Sequence, residues 1–485
     1  METILEAFLR NAAAEPDRVA FAHGDTELTF GALERRSSHL AAGLARAGVA
    51  PGLPVGILVM RGLHFPLALL ALWRLGAIVV PFDPGAPPED RAARESIVDL
   101  AFLIADGDLS LARTTTRVLQ IAELESAPVL HQPYTSPPDA DALFAFTSGT
   151  TGRPKALIHT HGGLSAWVHR SIGPGGKVIR GEIVLATIPL QLAVGMANLV
   201  FAPLVIGATV ILVQPFSPRI ALQTALRRQA TCVVTVPAIV KLLADLPEAI
   251  GRPAFRRINV SSAMLDAAAF ARFHARFGIR PVRDYGMSEL GLIASASGRD
   301  EEAYRPIAGW PLVELRLLDD DGNEVPPREA GEIAVRSDSL CRPYCLIEGG
   351  AREPLPMRDG FFLTGDIGRL EPDGALVLVG RKKAFINGPR LRVDPLEVEA
   401  VLLRMPGVRD AAVVPTPGRH GYEDIHAFIT ADRAVVEASV AAFCAEHLSA
   451  GKRPQIIDFI DAIPRNAAGQ VEAWRLRTAT RRPEG

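Results

Sequence analysis

Apolar and polar residues follow one another in blocks that fit buried strands and helices in alternation. Between residues 54 and 83, "PVGILVM" is followed by "FPLALLALWRLG" and then by "AIVVPFD". The same order recurs between residues 207 and 237, in "GATVILVQ", "RIALQTALRRQ" and "TCVVTVP". Because strands that alternate with helices are typical of parallel sheets covered by helices, we predict an α/β fold class.

The pattern changes in the later part of the chain, where short apolar stretches are separated by turn residues. "VELRLLDDDGNEV" (313–325) and "GEIAVRS" (331–337) are typical of strands joined by an Asp-Gly turn. "RLEPDGALVLVG" (369–380) predicts a hairpin with a Pro-Asp-Gly turn. This part of the chain is therefore expected to be β-rich.

The last hundred or so residues predict a separate, small α/β unit. A helix should begin near Pro395, with Asp394 as its cap and Glu397 three residues further on. The stretches "AAVVPT", "HAFITA" and "QIIDFID" predict strands around a helix near residues 434–448. We place the domain boundary at about residues 381–383.

Composition and charge exclude only a few classes of protein. The chain has 485 residues and a formal net charge of −2, which gives no reason to expect a nucleic-acid partner. Its 4 cysteines are too few for a disulfide framework, and the Cys341/Cys345 pair has no histidines nearby, so we interpret the pair as incidental. The N-terminus lacks the apolar region of a signal peptide, and a cytoplasmic location is expected.

One uncharged segment, residues 183–218, is long enough to span a membrane. Glycine, asparagine and proline interrupt it, and it divides into a helical part and the β-branched stretch "ATVILV". We therefore favour a buried helix and strand of the α/β core, and expect no membrane span.

The stretch "FTSGTTGRPK", from Phe146 to Lys155, carries the first candidate chemistry. Gly149 and Gly152 let a ligand approach the backbone closely, and Lys155 supplies a positive charge. Short hydroxyl donors come from Thr147, Ser148, Thr150 and Thr151.

Such a set fits a polyanion, most simply the phosphate chain of a nucleotide, although the spacing is not that of a Walker loop. A flexible surface loop is the alternative. "DALFAFT" before the loop predicts a strand and "HGGLSAWVHRSI" after it predicts a helix, an order in which anions are often bound.

Three further motifs follow in order: "DYGMSE" (284–289), "FLTGDIGRL" (362–370) and "VGRKKAFINGPRLRVDPLEVE" (379–399). With these, nearly the whole chain closely resembles the adenylate-forming superfamily of acyl- and aryl-CoA synthetases, peptide-synthetase adenylation domains and luciferases. The resemblance implies a large N-terminal domain, residues 1–382, of stacked and mostly parallel α/β subdomains with a β-rich part. It also implies a small mobile C-terminal α/β domain, residues 383–485.

In that superfamily a carboxylate attacks the α-phosphate of ATP bound to Mg²⁺, giving an acyl-adenylate and pyrophosphate. A nucleophile, usually a thiol, then displaces AMP. The resemblance therefore implies ATP and Mg²⁺ as cofactors. It also implies a small acid as substrate, with coenzyme A, a carrier protein or an amine as acceptor.

The resemblance implies roles for individual residues. Tyr285 would offer its ring to the adenine, Ser288 its hydroxyl to the α-phosphate, and Glu289 its carboxylate to Mg²⁺. For Tyr285 and Glu289 the alternative is an ordinary strand end with a solvated acid. The full nucleotide-binding set is Thr147, Ser148, Gly149, Thr150, Thr151, Gly152, Lys155, Ser262, Ala263, Asp284, Tyr285, Gly286, Met287, Ser288, Asp366 and Arg381. The catalytic set is Thr147, Lys155, Ser288, Glu289 and Lys383.

Two roles fall late in the chain. Asp366 would accept hydrogen bonds from the ribose hydroxyls, with Arg381 beside it. Lys383 lies at the superfamily's hinge, about which the small domain rotates between the two half-reactions. For "GRKK" a basic surface turn is the alternative interpretation.

The chain departs from the superfamily pattern at two functional positions. Gln470 stands where relatives have the lysine that bridges the substrate carboxylate and the α-phosphate, and loss of such a donor can cost on the order of 10²–10³ in rate. Arg390 stands where relatives have a glycine that lines the pantetheine tunnel. Its side chain would obstruct the tunnel or contact a charged acceptor.

The expected acyl pocket is apolar. No aspartate lies between Glu182 and Arg219, where peptide synthetases hold an α-amino group, so an α-amino acid substrate is disfavoured. "SSAML" replaces the usual Gly-Gly-Ala-Pro-Leu run, which would alter contacts on the adenine side. The pocket residues are Leu192, Val194, Gly195, Met196, Ala263, Met264 and Gly286.

Two hypotheses of function remain at this point. The first is an AMP-forming acid ligase of a specialised pathway that passes its acyl group to coenzyme A, a carrier thiol or an amine. The alternative is a nucleotide-binding regulatory protein whose adenylation is impaired by Gln470.

Overall fold

The computed structural model describes most of the chain. The described residues are 2–86, 88–107, 116–125, 134–148, 154–173, 176, 178–262, 264–298, 304–382, 386–387, 392–418, 423–465, 471–473 and 475–476. The chain divides into two compact units. The large unit contains Met1–Glu314 and Val335–Phe362, and the small unit contains Leu315–Ala334 and Leu363–Gly485.

The strands in chain order are β1 Val19–His23, β2 Thr26–Thr29, β3 Pro54–Leu58, β4 Ile78–Pro81, β5 Phe102–Ala105, β6 Val118–Gln120, β7 Asp141–Ser148, β8 Pro154–Thr160, β9 Ile183–Ala186, β10 Thr209–Leu212, β11 Cys232–Thr235, β12 Arg257–Val260, β13 Val282–Met287, β14 Gly291–Ser295, β15 Trp310–Pro311, β16 Glu314–Leu318, β17 Gly331–Arg336, β18 Tyr344–Leu346, β19 Arg352–Pro354, β20 Met357–Arg358, β21 Phe361–Leu370, β22 Leu376–Arg381, β23 Ile386–Asn387, β24 Arg392–Val393, β25 Val408–Pro417, β26 Glu423–Ala431 and β27 Ile456–Phe459.

The α-helices are α1 Ile4–Ala14, α2 Phe30–Ala47, α3 His64–Trp73, α4 Pro88–Glu95, α5 Ile121–Leu124, α6 His161–Ile172, α7 Ala193–Gly195, α8 Ala202–Ile206, α9 Pro218–Arg227, α10 Pro237–Ala244, α11 Ala267–Phe277, α12 Pro395–Leu402 and α13 Glu437–His447. A π-helix, Met196–Phe201, joins α7 to α8, and short 3₁₀ turns occur at Glu248–Ile250, Glu348–Gly350 and Ala450–Lys452.

Two sheets form the framework of the large unit. One is 8-stranded, in the order β19-β18-β8-β7-β4-β3-β5-β6, and the other is 9-stranded, in the order β15-β14-β13-β12-β11-β9-β10-β1-β2. Their central strands are parallel, from β7 through β4, β3 and β5 to β6, and from β13 through β12, β11, β9 and β10 to β1. The α/β prediction is confirmed.

Helices lie between the two sheets and share one apolar core with both. Helix α3 is apolar on every side, and all its residues after His64 are buried, as expected of a helix packed on more than one face. Helix α2 ends where the φ of Gly48 reaches 105°, which lets the chain turn back toward β3.

The uncharged segment is part of this core, as predicted. It forms β9, α7, the π-helix, α8 and β10, and most of these residues are buried. Among the residues that the structure describes, none of the helices is both long and apolar enough to cross a membrane.

The small unit contains the predicted hairpins and helix. Strands β21 and β22 pair antiparallel around Gly374, whose φ is 79°. Helix α12 begins at Pro395, and the Asp394 carboxylate accepts the backbone N–H of Leu396, which confirms the predicted cap. The sheet of β25, β26 and β27 contains the three predicted strands. The boundary at residues 381–383 stays a prediction.

Candidate functional site

The Gly-rich stretch lies at the tip of a β-hairpin. Strand β7 delivers it, as predicted, but the chain then enters β8, with Thr147 opposite Lys155. Residues 149–153 of the tip, with Gly149, Thr150, Thr151 and Gly152, lie outside the described residues.

The predicted order of strand, loop and helix is therefore wrong at its third element. Helix α6 begins at His161, capped by the Thr160 hydroxyl, only after β8. Because β8 has 7 residues and a strand rises about 3.3 Å per residue, the start of α6 is roughly 20 Å of chain away from the loop. The N-terminus of α6 is therefore not adjacent in sequence to the Gly-rich stretch, as the predicted order required.

Lys155 is paired with a carboxylate that the sequence did not indicate. Its ammonium group forms an ion pair with Glu353 on β19. The contact arises because β18 pairs with both β8 and β19. Only the sheet order brings these two residues together, since they are distant in sequence.

The motif "DYGMSE" forms the end of β13 and the turn into β14. Asp284 and Tyr285 are buried on the strand, while Ser288 and Glu289 lie half-buried in the turn. The neighbouring Gly286 approaches the backbone of Gly291 so closely that a Cβ would lie 2.5 Å from its carbonyl oxygen. The turn therefore depends on glycine at position 286.

The charges of Lys155 and Glu289 both act on one buried thiol, that of Cys345. Burial raises the pKa of Cys345, the charge of Lys155 lowers it, and the charges of Glu353 and Glu289 raise it. Burial and then the charge of Glu289 also raise the pKa of the Cys341 thiol. Both cysteines are free. One segment contacts both motifs, since β18 with Cys345 pairs with β8 and the Cys341 backbone N–H donates to the Glu289 carbonyl.

The other candidates of the large unit follow the carboxyl ends of parallel strands, the edge at which open α/β sheets bind ligands. Ser262 and Met264 follow β12, whereas Leu192 to Met196 follow β9. Ser262 has a φ of 78°, which is unusual for a residue other than glycine. Ala263 lies outside the described residues.

The acyl-pocket candidates after β9 differ in their exposure. Leu192 and Val194 are half-buried, whereas Met196 is buried in the core at 2% exposure. At Gly195 a Cβ would lie 2.1 Å from the carbonyl oxygen of Pro189, so no larger residue fits there. A π-helix begins directly after Gly195, and such irregular turns are frequent at functional sites.

In the small unit, Asp366 and Arg381 lie opposite each other on β21 and β22. The Arg381 Nε donates to Asp366 Oδ1 at 2.7 Å. The Asp366 side chain is buried and that of Arg381 is exposed, so the guanidinium orients the carboxylate from the solvent side.

The next residue is fixed as well. The Lys382 backbone N–H donates to the carbonyl of Gly365 at 2.7 Å, and its ammonium group lies 2.9 Å from both Glu332 and Asp320. These carboxylates raise the pKa of Lys382. Nothing in the motifs around Lys382 predicted this anchor.

Three further candidate positions fall outside the described residues, namely Lys383, Arg390 and Gln470. Two arginines near Gln470 are engaged with carboxylates. Arg465 donates to Asp410 at 3.2 and 2.7 Å, and Arg475 lies 3.1 Å from Glu472.

No group of three or more histidine, cysteine, aspartate or glutamate side chains forms a metal cluster within the described parts of the chain. A metal bound by one carboxylate together with substrate phosphates is the usual arrangement for Mg²⁺. One carboxylate, such as that of Glu289, is sufficient in that arrangement.

Comparison with known proteins gives consistent results over the whole chain. A family model for AMP-binding enzymes matches residues 8–345, and one for the AMP-binding enzyme C-terminal domain matches residues 397–470. The chain is 30% identical to sulfoacetate–CoA ligase of Cupriavidus necator, over 98% of this chain and 97% of that protein. It is also 30% identical to 2-succinylbenzoate–CoA ligase of Geobacillus kaustophilus, over 98% of both.

Among solved structures, it is similar to O-succinylbenzoate coenzyme A synthetase from Bacillus subtilis in complex with ATP and magnesium ion. The TM-score is 0.85 and the identity 25%, over 97% of this chain and 98% of that one.

Proposed function

The chain belongs to the family of AMP-binding enzymes, and from that premise we propose that it joins a small carboxylic acid lacking an α-amino group to the thiol of coenzyme A. It is an ATP-dependent, AMP-forming ligase that uses ATP and Mg²⁺. The observation that carries the proposed site is that residues 341–346 contact both motifs. The Cys341 N–H binds the Glu289 carbonyl, and Cys345 and Leu346 pair with Leu157 and Ala156, next to Lys155 on β8.

The triphosphate lies, in this proposal, between the hairpin tip and the turn after β13. Lys155, Thr147 and the backbone of residues 148–152 hold the β- and γ-phosphates. Ser288 donates its hydroxyl to the α-phosphate, and the Tyr285 ring lies beside the adenine. When ATP binds, its phosphates would replace the Glu353 carboxylate as the partner of the Lys155 ammonium group.

Glu289 would hold Mg²⁺ through its carboxylate. The ion, when bound with ATP, neutralises phosphate charge and makes the α-phosphorus a better electrophile. An acid oxygen attacks that phosphorus, the bond to pyrophosphate breaks, and an acyl-adenylate forms. The thiol of the acceptor then attacks the acyl carbon, and AMP leaves.

The ribose is assigned to Asp366. Its carboxylate, oriented by Arg381, would accept hydrogen bonds from the two ribose hydroxyls. The Lys382 anchor fixes the chain directly before Lys383, so a hinge at Lys383 would begin where this fixed hairpin ends.

The acid is expected to be largely apolar near its carboxylate. Leu192, Val194 and Gly195 supply no charged side chain, and no aspartate for an α-amino group lies between Glu182 and Arg219. The relatives named above act on sulfoacetate and 2-succinylbenzoate, which differ widely, so the relatives support an acid–CoA ligase more strongly than any single acid.

Coenzyme A is preferred over a carrier thiol or an amine because the relatives are CoA ligases. None of the comparisons supports the regulatory alternative that Gln470 suggested. In this proposal, Gln470 makes a weaker or altered contact with the reacting groups. Arg390 changes the pantetheine tunnel through which the acceptor enters.

The test is pyrophosphate exchange with a panel of acids, including sulfoacetate, ferulate, 2-succinylbenzoate, benzoate, short aliphatic acids and α-amino acids. The expected result is exchange with one group of non-amino acids, and thioester formation when coenzyme A is added. ATP binding without exchange for any acid would contradict the ligase assignment. Exchange without a thioester would move the acceptor to a carrier thiol or an amine.

A further inference from the structure

Arg170 is one of the few arginines whose side chain is largely buried, at 10% exposure. It lies near the end of α6, with no proposed ligand contact. Its Nη1 donates to the Ser339 hydroxyl at 2.8 Å, and its Nη2 donates to the Ser337 hydroxyl at 2.6 Å and to Asp338 at 2.9 Å. The shortest hydrogen bonds of the guanidinium thus go to one segment, residues 337–339, and Nη1 also donates to the Leu292 carbonyl at 3.4 Å.

That segment holds the turn that contains Glu289. The Ser339 hydroxyl donates to the carbonyl of Leu290 at 2.7 Å, and the backbone N–H of Cys341 donates to the carbonyl of Glu289 at 2.8 Å. Arg170 Nη1 also lies 3.5 Å from the Leu290 carbonyl oxygen. Two consecutive peptide groups, at Glu289 and Leu290, are therefore fixed by residues 339–341.

Helix α6, which carries Arg170, also packs against the turn that contains Glu289. Gly291 follows Leu290 with a φ of 80°, and a Cβ there would lie 2.2 Å from the indole nitrogen of Trp167. Trp167 and Arg170 are both on α6. The turn therefore lies between α6 and the 337–341 segment.

We propose that Arg170, acting through Ser337 and Ser339, positions the Glu289 carboxylate and thereby sets the affinity of the site for the divalent cation bound with ATP. This rests on the proposed role of Glu289. Arg170 is a positioning residue, since its hydrogen bonds go to the segment that holds the turn and not to a ligand. Removing a residue that orients a metal ligand commonly lowers metal affinity 10–100-fold.

The measurement is the dissociation constant of ATP with Mg²⁺ and with EDTA, by calorimetry, together with Mn²⁺ binding in the presence of ATP by electron paramagnetic resonance. The dissociation constant of ATP in EDTA, divided by that in Mg²⁺, gives the contribution of the cation to ATP binding in the wild type. We expect Arg170→Met to reduce that ratio about tenfold, Ser339→Ala to reduce it less, and Arg170→Lys to fall between Arg170→Met and wild type.

The matched control is Arg74→Met. Arg74 is also buried, and it donates to the Ser37 hydroxyl and to the backbone and carboxylate of Glu34, between α2 and α3. Its loss should lower the unfolding temperature but leave the ratio of ATP constants unchanged. A general loss of packing would change both variants alike.

Glu289→Gln separates this inference from the proposal on which it rests. If Glu289→Gln leaves the ratio unchanged, Glu289 does not hold the cation and its proposed role fails. If Glu289→Gln reduces the ratio and the folded Arg170 and Ser339 variants do not, the positioning role of Arg170 is overturned. An equal change in Arg74→Met would overturn it as well. Should Arg170→Met not fold, Arg170→Lys and Ser339→Ala decide the matter.

Discussion

The turn that contains Glu289 and the hairpin that contains Asp366 are held in place in different ways. The turn with Glu289 depends on the Ser339 hydroxyl, on the Cys341 backbone N–H and on α6, all distant in sequence. Asp366 is oriented by Arg381, its direct partner across β21 and β22. The first arrangement fixes a backbone between two packed elements, whereas the second fixes a side chain within one hairpin.

This difference sets what a substitution should do. A change at the turn should alter stability and the geometry of the site together, because packing and positioning use the same atoms. A change in the hairpin should alter ligand affinity more than stability, because Arg381 is exposed and the hairpin is closed independently by its Pro-Asp-Gly turn.

The largest expected effect is that of Gly291→Ala. A Cβ would meet the Trp167 indole while the backbone is in a left-handed conformation, so we expect a loss of about 3 kcal/mol in the free energy of unfolding. Gly298→Ala is the control, since Gly298 has a φ of 72° with no atom within 4 Å of the new Cβ, and should cost about 1 kcal/mol. Urea unfolding measures both, and equal losses would show that the Trp167 contact is unimportant.

Asp366→Ala should act on the nucleotide instead. Hydrogen bonds to a charged group contribute about 1.5–3 kcal/mol, so we expect the dissociation constant of ATP to rise about tenfold or more. Asp373→Ala, at the turn of the same hairpin, is the control and should leave ATP affinity unchanged. Unchanged ATP affinity in Asp366→Ala, measured by calorimetry, would contradict the ribose assignment.

Lys383→Pro tests whether the fixed hairpin is followed by a hinge. Proline cannot supply the φ range that a rotation requires, so one half-reaction should slow more than the other. Pyrophosphate exchange reports the first half-reaction, and thioester formation from preformed acyl-adenylate reports the second. Equal slowing of the two, or of neither, would argue against a hinge at this residue.

The smallest expected effect, and one of opposite sign, is that of Ser262→Gly. Ser262 has a φ of 78°, and glycine adopts that conformation without strain, so we expect a gain of about 1 kcal/mol in the free energy of unfolding. Ser261→Gly, whose backbone is not left-handed, should instead cost about 0.5–1 kcal/mol. A loss of stability in Ser262→Gly would mean that the serine hydroxyl contributes more than the strain costs.

Local patterns predicted the elements that depend on local chemistry. Strand β7, helix α6, the Pro-Asp-Gly hairpin and the Asp394 cap follow from periodicity and turn residues within a few positions. Strand β8 was not predicted, because "PKALIHT" mixes polar and apolar residues and lies close after Gly149 and Gly152. Its partner β18 could not have been inferred from the residues near it.

The contacts that hold the site could not be predicted for a related reason. The Glu289 carbonyl is bound by the backbone N–H of Cys341, and a backbone donor leaves no signature in the residue type. Arg170 appears in the sequence only as a polar residue on a helix. Glu353 meets Lys155 through two successive strand pairings, which only the folded sheet reveals.

The chain passes from the large unit to the small unit and back, and this order affects both synthesis of the protein and the design of truncated forms. The chain leaves the large unit at Glu314, forms 315–334 of the small unit, and returns for Val335–Phe362. The returning residues supply β18, β19 and the segment that holds the Glu289 turn. A polypeptide ending at Glu314 would therefore contain every motif of the phosphate site and still lack its support. During synthesis, the large unit can complete its folding only after residue 362 has emerged from the ribosome.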